Sequence, residues 1–199
     1  MQPTEMLMSE HRVIEQVLSC LERIAGQAQQ NEKLDGAAAR DALDFFRNFA
    51  DRCHHGKEER HLFPLMEAKG FPRQGGPTGV MLHEHDEGRA HIQAMHAVLE
   101  QAEAGAAAAV EQFVQHARAY VALLREHITK EDHCLFPMAN RAFAPADQQR
   151  LLDAFTHVEH EQMGAGTHEH FLDLAQRLAD KYGVPAAPVV ACGCGHGKH

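Results

Sequence analysis

Apolar positions recur every three to four residues through most of this 199-residue chain, the period of an α-helix with one buried face. In the first such segment, about Thr4 to Gln30, the residues Met8, His11, Ile14, Leu18 and Leu21 fall on one stripe. A polar break at Asn31-Glu32-Lys33 separates it from a second segment, about Gly36 to Lys69. Gly70-Phe71-Pro72 and Gly75-Gly76-Pro77 then read as a loop. A third segment runs from about Thr78 to Ala104 and stops at Gly105, and a fourth from about Ala107 to Ala142. Pro145 opens a fifth, capped by Ala144 or a neighbour, which reaches about Tyr182 with Gly164 and Gly166 interrupting or bending it. Four long amphipathic segments joined by short turns predict an all-α, up-down four-helix bundle with an additional C-terminal helix outside it or across one end. The expected domain is residues 1–182, with a bundle core at 4–142 and the extra helix at 145–182. Residues 183–199 read as a flexible tail, because Val184-Pro185-Ala186-Ala187-Pro188 resembles a linker and the Gly-rich end offers little to pack.

Polar residues set into these buried stripes form a repeat. His54-x3-Glu58 is followed by Leu62-Phe63-Pro64, and His127-x3-Glu131 by Leu135-Phe136-Pro137 at the same offsets. A Glu-His pair precedes each at nearly the same distance: Glu10-His11 in the first half and Glu84-His85 in the second. Residues four apart share a helical face, so each His-Glu pair points inward together. A buried carboxylate is costly unless a cation or hydrogen bonds compensate it. Two of them facing each other across a bundle therefore call for a metal, or at least a proton, between them. Glu58 and Glu131 would bridge two ions, capped by His11, His54, His85 and His127. Mixed nitrogen and carboxylate ligation with open positions suits iron, with zinc or manganese as alternatives.

Composition sharpens this. Seventeen histidines are several times the usual share of roughly 2%, and imidazole is the commonest metal-ligating side chain. A formal charge of −9 argues against nucleic acid as a partner. No apolar run approaches the roughly 20 residues of a membrane span, and the N-terminus lacks the pattern of a secretion signal. Five cysteines, an odd number, fit a reducing compartment, so a cytoplasmic location is expected. Cys53 and Cys134 read as small core residues, while Cys192-Gly-Cys194-Gly-His196 has thiols to hold a soft metal without the spacing of a four-ligand zinc site.

Taken in order, Glu10-His11-Arg12, His54-His55-x2-Glu58-Glu59, Glu84-His85-Asp86-Glu87-Gly88-Arg89 and His127-x3-Glu131, with their two Leu-Phe-Pro sequels, resemble the four helical motifs of hemerythrin-like (HHE cation-binding) proteins. The resemblance covers roughly residues 5 to 140. It implies a four-helix bundle around a non-haem di-iron centre, bridged as Fe–O–Fe or Fe–OH–Fe. Two departures bear on use. Oxygen-carrying members have a second His one turn after the third-helix ligand, where this chain has Arg89. They also have an Asp five residues after the last His; Asp132 stands there, but Glu131 is the better bridge by repeat symmetry. A fifth nitrogen is available from His55 or from His168. The absent side chain of Gly88 leaves room for a diatomic ligand or serves close packing. His61, His133 and Tyr120 are candidates for orienting the ligands.

The expected function is a di-iron protein that senses, binds or reduces a small oxidant such as dioxygen, peroxide or nitric oxide in a stress response, with a redox partner if it turns over. The alternative is a protein that stores or donates iron or zinc, with the Cys/His tail as its delivery arm.

Overall fold

A computed structural model of the chain describes residues 1–159 and 166–187. Helix α1 is Pro3–Asn31 and α3 is Pro77–Glu103. Helix α2 (36–68) and helix α4 (107–142) are each continuous but composite. In α2, the α-helical Gly36–Phe45 passes into wide π-type turns at Phe46–His55 and Glu58–Leu62 before Phe63–Ala68. In α4, Ala107–Lys130 passes into one at Glu131–Leu135 before Phe136–Ala142.

The two equivalent wide turns begin at the glutamates of the repeat and end just before its prolines. Proline has no N–H, and its ring crowds the carbonyl four residues back in a regular helix. Pro64 and Pro137 each sit at the start of the α-helical turns that follow. Loosening the preceding turn relieves that crowding, so Leu-Phe-Pro carries helix geometry. It also carries packing: Leu62, Phe63, Leu135 and Phe136 are all essentially buried.

Neighbours around the bundle run α1–α2–α3–α4 and back to α1. Two apolar layers fill it. One contains Ile14, Leu18, Phe46, Phe49, Ile92, Phe113 and Leu124. The other, at the opposite end, contains Leu7, Leu62, Phe63, Met81, Leu135 and Phe136. Along every helix the repeat's His and Glu lie between the two, so the polar site is a slice through the middle of an apolar core.

The expected fifth helix is two. Helix α5 (Pro145–His157) adds Leu151 and Phe155 to the second apolar layer, and α6 (Thr167–Tyr182) lays Phe171, Leu174 and Leu178 against the first. Gly166 opens α6 with φ +82, a left-handed conformation that glycine adopts without strain, so the chain re-aims there. Gly164 lies outside the described residues. The far end of α6 is pinned to the start of α2: Asp35 caps α2 by accepting the Ala38 N–H at 3.2 Å and also accepts from Tyr182 Oη at 2.9 Å and Lys181 Nζ at 2.6 Å. No helix is long and apolar enough to cross a membrane among the described residues.

Candidate metal centre

Four histidines and two glutamates converge in the polar slice, one histidine from each helix. His11, His54, His85, His127, Glu58 and Glu131 are all at most 1% exposed. Two groups of donor atoms have ligand spacing: His55, Glu58, His85 and His127, and His11, His54, Glu58 and Glu131. Glu58 belongs to both. The imidazole Nε2 atoms face the carboxylates, with His11 to Glu131 at 3.2 Å, His127 to Glu131 at 3.3 Å, His85 to Glu58 at 3.5 Å and His54 to Glu58 at 3.6 Å.

The opposite ring nitrogens are held from behind. His54 Nδ1 meets Glu10 at 2.8 Å and His127 Nδ1 meets Glu84 at 2.9 Å. His85 Nδ1 meets Glu59 at 2.7 Å and His11 Nδ1 meets Asp132 at 2.7 Å. Each histidine is thus steered by a carboxylate of the preceding helix around the ring, α1 by α4, α2 by α1, and so on. A cation backs each carboxylate in turn: Lys57 on Glu10, Lys130 on Glu84, Arg89 on Glu59 (2.6 Å) and Arg12 on Asp132. The pattern repeats with the two-fold symmetry of the sequence. The residue before the upstream histidine and the residue after the glutamate serve as the steering carboxylates in both halves.

This outer shell is electrically matched, and the inner one is not. Among the described residues, Glu58 and Glu131 form ion pairs only with histidines. Both oxygens of each glutamate, and the Nε2 atoms of His11 and His54, are buried without a hydrogen-bond partner. With Nδ1–H donated to a carboxylate, a neutral imidazole presents only a lone pair at Nε2. Yet His85 Nε2 and His127 Nε2 lie 3.1 Å apart. Two lone pairs at that distance repel unless a proton or a cation lies between them. The donor set therefore fits metal binding, and the carboxylate–histidine pairs are the usual means of orienting such ligands.

Without a metal, protons take that role. Burial first, and then the charge of Glu131, push the Glu58 carboxyl well above its ordinary range. Burial also raises Glu131, but the charges of His127 and the adjacent His11 outweigh it and pull this carboxyl down. Burial disfavours a charged His11, yet Asp132 and Glu131 more than compensate and lift it to about 9. His54 goes the other way, to about 4, because burial dominates. Lys57 is fully buried between Glu10 and Glu159, the latter at 2.5 Å, and stays charged by virtue of both.

Of the seven metal-ligand candidates, the structure brings six together and leaves His168 apart. His168 stands in the first turn of α6, 5.2 Å from the Phe49 ring, where it groups with Glu10 and Cys53. It belongs to neither ligand group of the centre; its neighbour Glu10 is the carboxylate that holds His54 from behind. His55 is the additional nitrogen that does: it is buried and stacked on His85 with ring centroids 3.8 Å apart. His133 is exposed, and His61 lies towards Phe155 at 6.5 Å, so neither orients a ligand. Cys53 is buried as expected, but Cys134 is exposed. It lies inside the π-type turn Glu131–Leu135, where more than four residues are needed to come round, so a position three after Glu131 faces away. The steering roles of Glu10, Glu59, Glu84 and Asp132 were not assigned from sequence; their signal was a carboxylate next to His11, Glu58, His85 and Glu131. His160 and the Cys192-Gly-Cys194-Gly-His196 tail lie outside the described residues.

Comparison with known proteins agrees with this architecture. The hemerythrin HHE cation-binding domain profile matches residues 2–139, which contain all six converging side chains. An uncharacterized protein of Mycobacterium tuberculosis (Rv1995) is 23% identical over 180 residues, covering 90% of this chain and 70% of its own length. Its Mycobacterium bovis counterpart, Mb2018, matches equally. The iron-sulfur cluster repair protein YtfE of Musicola paradisiaca is 36% identical over 94 residues, 46% of this chain and 42% of its own length. No solved structure matches. With the profile spanning the four helices and the ligands falling at their common centre, the chain belongs to the hemerythrin HHE cation-binding family.

Proposed function

We propose that the chain is a non-haem di-iron protein that binds or reduces a small oxidant, such as dioxygen, peroxide or nitric oxide, in a sensing or protective role. The observation that carries this is Glu58 shared by two groups of possible ligands, which supports two neighbouring ions over a single one. A di-iron pair supplies electrons and an open coordination position for a small ligand. The protein's own part is to hold four imidazoles in one tautomer, keep bulk water out with two apolar layers, and keep protons on Glu58 and His11 until metal displaces them. Arg89, where an oxygen carrier has a histidine, is tied to Asp51 and Glu59 and has no lone pair to offer a metal. That supports sensing or protection over transport. Metal analysis with aerobic and anaerobic absorption spectra tests the reading: about two irons per chain and a charge-transfer band that responds to dioxygen or nitric oxide are expected. Protein purified from iron-replete cells without iron, and silent after reconstitution, would sink it.

A second reading, iron storage or donation, is favoured by the likeness to a protein named for iron-sulfur cluster repair. It predicts iron transfer to an acceptor apoprotein that slows when residues 184–199 are deleted; unchanged transfer counts against the tail as a delivery arm.

A further inference from the structure

A cavity of about 130 Å³ lies between α2, α3 and α4 and reaches the histidines of the centre. His55 and His85 line it on the metal side, and Gly88, Arg89, Asp51 and Tyr120 line it elsewhere. A larger hollow of about 620 Å³ lies far off, against Gln29 and Arg118 at the other end of α1 and the start of α4. Size alone is informative. The cavity beside the centre is comparable to the ~150 Å³ that admits one benzene molecule, and well below the ~300–1,000 Å³ of sites for organic substrates.

Among the described residues, side chains pack the centre's other sides. The two apolar layers close it along the bundle axis, Phe136 stacks on His11 with ring centroids 5.5 Å apart, and Lys57 with Glu10 and Glu159 covers His54. The α2–α3 side is open because position 88 has no side chain. A Cβ there would meet the Tyr120 ring at 3.4 Å, so a methyl fits against the ring while a longer chain would occupy the cavity.

The half-buried cation at the wall, Arg89, is already matched. Arg89 donates to Asp51 at 2.7 and 2.9 Å, to Glu59 at 2.6 Å and to Asp86 at 2.9 Å. Tyr120 is different. It is 3% exposed, its ring packs edge-on against Phe46 at 5.0 Å, and its hydroxyl has no hydrogen-bond partner among the described residues. An unpaired hydroxyl on a buried ring at the cavity wall is a donor that a ligand there would engage.

We propose that this cavity is the ligand chamber of the centre, taking a neutral molecule of a few heavy atoms to the His55–His85 face, where the Tyr120 hydroxyl donates a hydrogen bond to it. The proposal rests on the small-oxidant reading above and adds where the ligand lies and which residue contacts it. Arg89 is engaged by its carboxylates, and Arg47 and Gln93 line the cavity from exposed positions, so Tyr120 is the free donor on a buried residue, which suits a molecule with one accepting end, of which nitric oxide and dioxygen are the type.

Two measurements test it. Xenon-pressurised crystals of the chain should show a xenon atom against Gly88 and Tyr120, absent in Gly88→Leu; this needs no metal. In iron-loaded protein, nitric oxide should bind roughly tenfold or more slowly to Gly88→Leu than to wild type, with Gly88→Ala in between and metal content and helicity unchanged. Tyr120→Phe should weaken nitric oxide binding about three- to tenfold and abolish the shift of its stretching band in heavy water. An empty chamber under xenon, or equal association rates in the glycine series with an unmoved band in Tyr120→Phe, overturns the proposal. Wild-type protein that takes up xenon and two irons but binds no nitric oxide overturns it as well, and with it the functional reading, whereas failure of the variants alone leaves that reading standing.

Discussion

Replacing Glu58 by Gln separates what this side chain does without metal from what it does with it. In the metal-free protein its carboxyl is raised well above the ordinary value of 4.5, by burial first and by Glu131 second. The folded state then keeps a proton that the unfolded chain has released. The group's contribution to stability is fully present below pH 4.5 and is lost as pH rises through the raised value, at up to about 1.4 kcal/mol per pH unit. Glutamine has nearly the same shape and no proton to lose. The surrounding imidazoles, including His54 at about 4 and His11 at about 9, titrate in both proteins and largely cancel in the comparison. Urea unfolding of chelator-treated protein, followed by circular dichroism, should therefore show wild type losing stability relative to Glu58→Gln as pH rises above 4.5, by no more than about 1.4 kcal/mol per pH unit. With metal the sign of the effect reverses, because the substitution removes the carboxylate common to both ligand groups. Metal at a thousand times its Kd stabilises by about 4 kcal/mol, which for a chain of this size raises Tm by roughly 8–16 °C. Glu58→Gln should lose more than half of that rise. A stability difference that ignores pH, together with an undiminished rise in Tm on metal addition, refutes the reasoning on both counts.

Three further outcomes follow from the same geometry. Metal loading at pH 7 should release about two protons per site, from Glu58 and His11, and affinity should climb with pH; calorimetry in buffers of different ionisation enthalpy measures this, and a heat independent of buffer contradicts it. Asp132→Asn and Glu59→Gln, equivalent positions in the two halves, should each weaken metal binding about 10- to 100-fold, read by competition with a chromophoric chelator. Lys57→Met leaves Glu10 and Glu159 facing each other in the interior and should cost about 3–5 kcal/mol in chemical denaturation, partly recovered by adding Glu10→Gln; a variant as stable as wild type would show that the buried lysine is not what holds that pair together.

The chain's own pattern determined the four bundle helices and the turns between them, because helical periodicity and Gly/Pro punctuation are local. It also determined that His11, His54, Glu58, His85, His127 and Glu131 point towards one centre, since an i,i+4 pair fixes a face and the repeat fixes its partner. Other features depended on how the helices are rotated against one another, which a local pattern does not encode. Tertiary packing decided that Glu10 steers His54 and Glu59 steers His85, each across to a different helix. It decided that His55 joins Glu58, His85 and His127 while His168 meets Glu10 and Cys53 instead, and that the chain after Pro145 makes two helices bound to different apolar layers. The wide turns at the repeat's glutamates turned Cys134 outward, contrary to a strict 3.6-residue stripe. Sequence supplied the ligands because each is a matter of one helix's face; the shell that orients them, and the chamber beside Tyr120, exist only where four helices meet.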